Sequence, residues 1–435
     1  MAHYAAILAF LPVTPAIRYC GINNTVLSFD FGWLVYTDCM YMLKLSGEVK
    51  MPLYEMRKFV APEFIFGVGA RHRVGFYARI MQAQRVLIVT DAGVIAAGWL
   101  QDIEQDLQEV GIEYAVFSQL TSNPKDVEVM AGARFYEENA CDVIVALGGG
   151  SVIDCAKAIG IVHANNCEVH VFEGVDNVDI PGPPLICIPT TAGTSADISQ
   201  FCIIVNSVER YKMAIISKSV VPDVALVDPE TTVTLDPCLT ACTGIDALTH
   251  AIEAFVSTAN SPIVDVHALA AIELLWRNLD TAVMLPTDLS ARESMLLGSL
   301  QAGLAFSNAS LGAVHAMAHS LGGYLDLPHG ACNALLLDHV IRFNIRAAPD
   351  RYQRIAAAMG LNVQDLNEPQ RAVLITNALA AKRKMLGLTE KMSHWGVKYG
   401  DIPDLAHHAV RDACLVTNPR HASVHDLKVI YGEAL

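Results

Sequence analysis

The chain has 435 residues, of which 53% are hydrophobic, and its 45 acidic and 30 basic side chains give a formal net charge of -15. This length is enough for two domains with full cores. The negative charge argues against a nucleic-acid surface, because a phosphate backbone would be repelled and no Lys/Arg-rich run offsets that repulsion.

The first 50 residues differ from the rest of the chain. They contain only three basic residues, and their apolar run 5–13 is too short to span a bilayer. A signal peptide would begin with positive charge, which this segment lacks. We predict that residues 1–50 are an atypical extension, either poorly ordered or read through from an over-early start codon. A segment that touches a membrane is the functional alternative.

Residues 51–235 alternate short apolar runs, rich in β-branched side chains, with helical patterns. The runs cover residues 86–90, 114–117, 143–147, 185–188, 201–205, 213–217 and 224–227. Such alternation predicts an α/β domain with a sheet of parallel strands.

One acidic residue stands at the end of the first of these runs. Asp91 follows residues 86–90. A carboxylate at that place can accept both adenosine ribose hydroxyls and would repel a 2′-phosphate, which favours NAD over NADP.

A glycine-rich loop follows the run 143–147. Gly148, Gly149 and Gly150 come first, and a Ser151-x-x-Asp154 start then opens a helical segment. Glycines let the backbone approach an anion, and the free amides of a helix start point toward it. A tight turn also needs glycine without any ligand, and the spacing is not G-x-G-x-x-G.

A hydroxyl-rich stretch at residues 189–197 follows the run 185–188. Its threonines can donate to phosphate or ribose oxygens, or they can form an ordinary polar turn. The glycine loop upstream favours the binding interpretation.

Residues 236–435 lack strand signals. Alanine- and leucine-rich segments at 268–279, 290–304, 311–322 and 352–359 predict an all-α domain, and the tail 389–435 is expected to add further helices.

Candidate metal ligands lie in two helical pairs and a loop of this second half. Asp246 and His250 are four residues apart, as are His315 and His319, so each pair points from one helix face. His329 follows in a loop. Imidazoles with one carboxylate suit Fe(II) or Zn(II) better than Ca(II) or Mg(II). A single such pair also occurs as ordinary satisfied histidines, but the three pieces together favour a metal site.

The eleven cysteines are scattered and form no C-x-x-C pair, which fits a reducing cytoplasm. Cys238 and Cys242 continue the four-residue step toward Asp246 and are thereby alternative thiolate ligands. Pro237 and Gly244 argue against one continuous helix, so we expect ordinary, non-ligating cysteines.

In their order and spacing, these segments resemble the iron-containing (group III) alcohol dehydrogenase family, from about Met56 to the C-terminus, and most closely a bacterial branch associated with ethanol oxidation. The resemblance implies an α/β dinucleotide-binding domain over 51–235 and an all-α metal-binding domain over 236–435. It implies Asp246, His250, His315 and His329 as ligands of Fe(II), with Zn(II) as the alternative, and His319 beside the metal but not bound to it. One helical turn from His315, His319 is the nearest ionisable group to carry the alcohol proton to solvent, and its alternative role is a hydrogen bond that orients a ligand. Implied NAD contacts are Asp91, Gly149, Gly150, Ser151, Thr190, Thr191, Thr194 and Lys212, and Phe306 matches a substrate-pocket aromatic residue.

The implied activity is oxidation of a short primary alcohol to its aldehyde, or the reverse, with hydride transfer to NAD. The alternatives are a glycerol or diol dehydrogenase of the same superfamily, and a metal- and nucleotide-binding regulatory sensor. We expect a cytoplasmic homodimer or larger homo-oligomer with no nucleic-acid or membrane partner.

Overall fold

In the computed structural model of the chain, which describes residues 58–435, every strand lies before Pro237 and long helices follow it. The extension predicted over residues 1–50 lies outside these described residues. The strands are β1 (Glu63–Phe66), β2 (Arg85–Val89), β3 (Glu113–Phe117), β4 (Val143–Gly148), β5 (Gly174–Val175), β6 (Leu185–Pro189), β7 (Phe201–Asn206), β8 (Tyr211–Ile216) and β9 (Val224–Val227).

Short and medium helices connect the strands, and longer ones make up the second half. The helices are α1 (Val74–Ile80), α2 (Ala92–Ala96), α3 (Trp99–Glu109), α4 (Asp126–Glu138), α5 (Gly150–Asn165), α6 (Pro237–Val256), α7 (Pro262–Met284), α8 (Leu289–Ala309), α9 (Ala313–Leu325), α10 (His329–Asn344), α11 (Pro349–Ala358), α12 (Glu368–Met385), α13 (Ile402–Ala409) and α14 (Val424–Ala434). The predicted α/β part followed by a helical part is confirmed.

The main sheet has six parallel strands in the order β1-β9-β6-β4-β2-β3. The chain passes from β2 outward to β3 and then returns to β4 on the other side of β2. This reversal makes a crevice at the carboxyl ends of β2 and β4, which is where ligands bind in open α/β sheets. Asp91 and the glycine loop follow these two strands, so the topology brings them to the same crevice.

Both faces of the main sheet are covered, which explains the unbroken apolar runs. All of β4 is buried. Val145 and Leu147 belong to the core on one face, whereas Ile144 and Ala146 belong to the core on the other face.

A second, three-stranded sheet has the order β5-β8-β7, and β7 pairs with β8 in antiparallel fashion. The prediction of a parallel sheet was wrong for the runs 201–205 and 213–217. They are joined by the short segment 207–210, which is long enough for a hairpin and too short for a parallel crossover.

Helix α6 is the centre of the helical part, with Gly244–Val256 buried throughout. The expectation that Pro237 and Gly244 interrupt a helix was wrong. Pro237 stands at the helix start, where a missing N–H costs nothing. Gly244 is tolerated because α7 and α8 press against it, and a Cβ there would overlap Leu279 and lie 2.9 Å from Met295 Cε.

The predicted domain boundary near residue 235 falls just before α6, but the apolar core of the helices also includes Ile198, Phe201 and Ala225 from the first half. The division into two domains therefore stays a prediction. Among residues 58–435, none of the helices combines the length and apolarity that crossing a bilayer requires.

Candidate active site

The glycine loop and the threonine stretch form one wall of a cleft. Strand β4 ends at Gly148, and Gly149 precedes the first residue of α5. A Cβ on Gly149 would lie 3.1 Å from Thr191, and one on Gly150 would lie 2.5 Å from the Thr194 hydroxyl. The approach at Gly150 leaves no room for a side chain, so the glycine loop and the threonine stretch are packed closely together.

Ser151 does not cap α5 as the Ser-x-x-Asp pattern predicted. Its position is the second residue of the helix, and its hydroxyl donates to the carbonyl of Ser122. Asp154 instead accepts the backbone N–H of Ile203 at 3.1 Å. The first amides of α5 are thus left without a side-chain cap, and a helix start leaves such amides free for an anion.

Asp91 stands at the mouth of the same cleft. Its Oδ1 accepts the backbone N–H of Val94 at 2.9 Å and so caps α2. Among residues 58–435, the other carboxylate oxygen makes no hydrogen bond, and the side chain is only half-buried. One carboxylate oxygen of Asp91 thus caps the helix, and the other is available to a ligand.

Lys212 reaches the cleft from β8. It is buried, and its Nζ donates to Asn123 Oδ1 at 2.8 Å. Asn123 in turn donates to Asp326 Oδ1 at 2.7 Å, which ties the strand to the end of α9. Burial lowers the pKa of Lys212.

The four implied metal ligands converge from three helices. Helix α6 carries Asp246 and His250, α9 carries His315, and His329 begins α10; one donor atom from each lies within 4.8 Å of all the others. Asp246 Oδ1 is 4.0 Å from His250 Nε2 and 3.7 Å from the Nε2 atoms of His315 and His329.

His319 lies beside this cluster with different partners. Its Nδ1 is 2.8 Å from Asp412 Oδ2, and its ring stacks on that of His329 with centroids 5.2 Å apart. Phe306 stacks on His250 with centroids 4.3 Å apart and meets Phe201 edge-on at 5.5 Å. An aromatic wall therefore borders the cluster.

Three residues that the sequence analysis did not single out hold the cluster in place. Glu253 accepts the Nδ1–H of His315 at 2.6 Å and the backbone amides of Gly312 and Val314 at 3.1 and 2.7 Å. It lies three residues after His250 on the same helix face, a spacing that could have revealed it. Asp412 is 93 residues from His319 in sequence, and no local pattern links the two.

The third of these residues is Asn333. Its Nδ2 donates to Asp246 Oδ1 at 2.5 Å and lies 3.1 and 3.2 Å from the Nε2 atoms of His315 and His329. One carboxylate oxygen and two ring nitrogens thus converge on a single NH2 group. Such convergence fits a small electropositive centre.

The electrostatics of the cluster also favour a cation. Burial lowers the pKa of His250 to about 3 and that of His329 well below its ordinary value. Both rings are therefore neutral and have a lone pair to offer a metal ion. Burial alone would lower the pKa of His315 as well, but Asp246 and Glu253 raise it to about 9. Burial opposes ionisation of Asp246, yet the neighbouring histidines lower its pKa overall. The site attracts one positive charge, and metal ions compete with protons for such donors.

The predicted site residues all border one cleft of about 690 Å³. It is lined by the predicted residues Asp91, Gly149, Gly150, Ser151, Thr190, Thr191, Thr194, Lys212, Asp246, His250, Phe306, His315, His319 and His329. The structure therefore places every residue that the resemblance implied around a single space.

Comparison with known proteins identifies the class. The profile described as "Iron-containing alcohol dehydrogenase" matches residues 61–229, and that described as "Fe-containing alcohol dehydrogenase family, C-terminal" matches residues 240–435. The chain belongs to the iron-containing alcohol dehydrogenase family. It is an oxidoreductase that interconverts alcohols and aldehydes, as the sequence predicted.

Individual relatives are similar over nearly their whole length. The chain is 38% identical to the 1,3-propanediol dehydrogenase of Klebsiella pneumoniae, covering 88% of this chain and 99% of that one. It is 38% identical to the NAD-dependent methanol dehydrogenase of Bacillus methanolicus, covering 87% and 99%. A crystal structure of 1,3-propanediol oxidoreductase superposes with a TM-score of 0.85 at 38% identity, covering 88% of this chain and all of that chain.

Proposed function

We propose that this chain oxidises a short primary alcohol to its aldehyde, or runs the reverse reaction, with NAD as hydride carrier and a divalent metal at the helical cluster. The strongest support is that the glycine loop and the four implied metal ligands border one cleft of about 690 Å³. Hydride transfer needs cofactor and substrate in direct contact, which a shared cleft provides.

The nucleotide is assigned to the first half of the cleft. The free amides at the start of α5 suit the pyrophosphate, with Gly149 and Gly150 leaving room for it. The oxygen of Asp91 that does not cap α2 suits the adenosine ribose. Further contacts are assigned to Ser151, Thr190, Thr191, Thr194 and Lys212, all of which line the cleft.

The metal is assigned to Asp246, His250, His315 and His329, with Fe(II) as the resident ion and Zn(II) as the alternative. When bound, such an ion supplies Lewis-acid chemistry that lowers the pKa of an alcohol hydroxyl. Glu253 fixes the Nδ1–H tautomer of His315 and thereby leaves its Nε2 lone pair for the ion.

His319 is assigned the alcohol proton. Its contact with Asp412 engages Nδ1, so Nε2 is the atom that remains to accept a proton from the substrate side. Asp412 keeps the ring oriented and stabilises it while it is charged.

The wall beside the metal residues selects the substrate. Phe306 stacks on His250 and contacts Phe201, and both aromatic residues line the cleft together with Leu311. A short alkyl chain packs well on such side chains, whereas a second hydroxyl would lose its hydrogen bonds there. A diol dehydrogenase remains the second candidate, because the similar proteins include a 1,3-propanediol dehydrogenase.

The test is a substrate series with protein reconstituted anaerobically with Fe(II) or Zn(II), followed by NADH absorbance. We expect the highest kcat/KM with an alcohol between ethanol and pentanol. A higher value with glycerol or 1,3-propanediol would favour the diol alternative. Absence of turnover at full metal occupancy would contradict the proposed reaction and favour the regulatory sensor.

We infer a homodimer or larger homo-oligomer from the family resemblance. We infer a cytoplasmic location because the eleven cysteines follow no disulfide pattern.

A further inference from the structure

Two cysteines stand one helical turn apart where α6 enters the cleft. Cys238 is exposed in the first turn of α6, and Cys242 is buried and lines the cleft. Because they are four residues apart, the two thiols share one face of α6, and Asp236 and Asp246 add negative charge around Cys242. None of the functions proposed above uses this thiol pair.

The geometry of a helix decides which chemistry the pair can perform. Residues four apart on a helix have Cβ atoms about 5 to 6 Å apart. A disulfide needs Cβ atoms about 3.5 to 4.5 Å apart, so the helix would have to unwind. A single polarisable atom that bonds to both sulfurs can bridge the larger Cβ–Cβ distance of the intact helix.

The first turn of α6 resists such unwinding. Arg292 is buried, and its Nη1 donates to Thr240 Oγ1 at 2.9 Å while its Nη2 donates to the carbonyl of Leu235 at 3.3 Å. These bonds hold the chain on both sides of Cys238. The pair is therefore kept at bridging distance and away from disulfide geometry.

Cys242 also lies against the metal-binding end of α10. A Cβ on Gly330 would overlap the carbonyl oxygen of Cys242 and lie 3.3 Å from its Cβ. Gly330 follows His329 directly, and Asp246 is one turn further along α6. An atom bound to the Cys242 sulfur would thus occupy part of the cleft.

We propose that Cys238 and Cys242 form a binding site for soft, thiophilic species, trivalent arsenicals in particular, and that its occupation competes with the nucleotide. With phenylarsine oxide as the probe, both thiols bond to arsenic, and their two protons leave with its oxygen as one water molecule. Arsenic stays trivalent, so no oxidant is needed. The competition with NAD rests on the proposed function, whereas uptake of the arsenical does not.

The test uses the full, metal-loaded chain, intact mass spectrometry and thiol counting. We expect one phenylarsenic group per chain and the loss of two titratable thiols. Cys238→Ser and Cys242→Ala should each abolish this stable adduct, while Cys167→Ser, which removes an exposed cysteine that does not line the cleft, should keep it. Uptake that persists in the Cys238→Ser or Cys242→Ala variant would overturn the site.

Two further measurements address its position and geometry. NAD at about ten times its Kd should slow uptake about tenfold if both occupy the cleft. Unchanged uptake, in protein that binds NAD by fluorescence, would overturn the competition. Diamide should form no disulfide between the two cysteines in peptide maps, and such a disulfide would overturn the bridging geometry.

Discussion

Glu253 is a buried residue that we expect to set metal affinity through its contact with His315. Its carboxylate binds His315 Nδ1 at 2.6 Å and two amides at the start of α9. Glu253→Gln keeps the size and one acceptor oxygen but removes the charge. We expect metal affinity to fall about 10- to 100-fold.

Metal content after dialysis against graded chelator measures this loss. Glu273→Gln, on the exposed side of α7, is the matched control and should bind metal like the wild type. Equal affinity in Glu253→Gln and the wild type would show that the carboxylate only caps α9.

At the residue scale, we expect Asp91 to determine the choice between NAD and NADP. Because its Oδ1 caps α2, the informative substitution is Asp91→Asn, which keeps an N-cap acceptor while removing the charge. A 2′-phosphate near a carboxylate costs on the order of a few kcal/mol at an effective dielectric near 20. We expect kcat/KM for NADP to rise about tenfold or more and that for NAD to fall modestly. Unchanged use of NADP would place the ribose elsewhere.

Substitution of His319 tests whether proton transfer and metal binding depend on different residues. His319→Ala should retain the ion, because the four implied ligands do not include it, and should slow turnover by about 10²- to 10⁴-fold. Metal content and kcat are measured on the same sample. Release of the ion, as expected for His315→Ala, would place His319 among the ligands.

At the scale of elements, the contact between α6 and α10 positions His329. A Cβ at residue 330 would lie 2.7 Å from the carbonyl carbon of Cys242, and backbone cannot yield as a flexible side chain can. Gly330→Ala should therefore displace α10, lowering both Tm and metal occupancy, with an overpacking cost of about 1 to 3 kcal/mol.

The control is Gly432→Ala in α14, where a Cβ would meet no atom within 4 Å. It should leave Tm unchanged or raise it, because alanine is favoured over glycine in a helix by about 1 kcal/mol. A Gly330→Ala protein as stable and metal-rich as this control would contradict the tight contact.

Local sequence spacing predicted which residues form the site better than it predicted which of them contact each other. The four-residue spacing of Asp246 and His250, and that of His315 and His319, is enough to place each pair on one face of a helix. The apolar runs of β7 and β8 do not themselves encode the direction of pairing, whereas the short connection 207–210 between them does. The contact between His319 and Asp412 was missed because it joins residues 93 apart.

At the scale of the whole molecule, sheet topology and helix packing serve one cleft. The reversal between β2 and β4 brings Asp91 to the glycine loop, and the buried α6 presents Asp246 and His250 to the same space. Neither half contains the complete site. The sequence indicated both the nucleotide residues and the metal-binding residues. Only the packing of α6 against α9 and α10 shows that the donor atoms of the metal-binding residues lie together.

We propose that the metal and the nucleotide serve one reaction in this cleft. The most direct measurement compares Asp246→Ala with the wild type, recording metal content, NAD binding and alcohol-dependent NADH formation on the same samples. We predict that the variant folds and binds NAD but holds well under one metal ion per chain and has no turnover. Turnover that continues in the variant at wild-type rate would contradict the account.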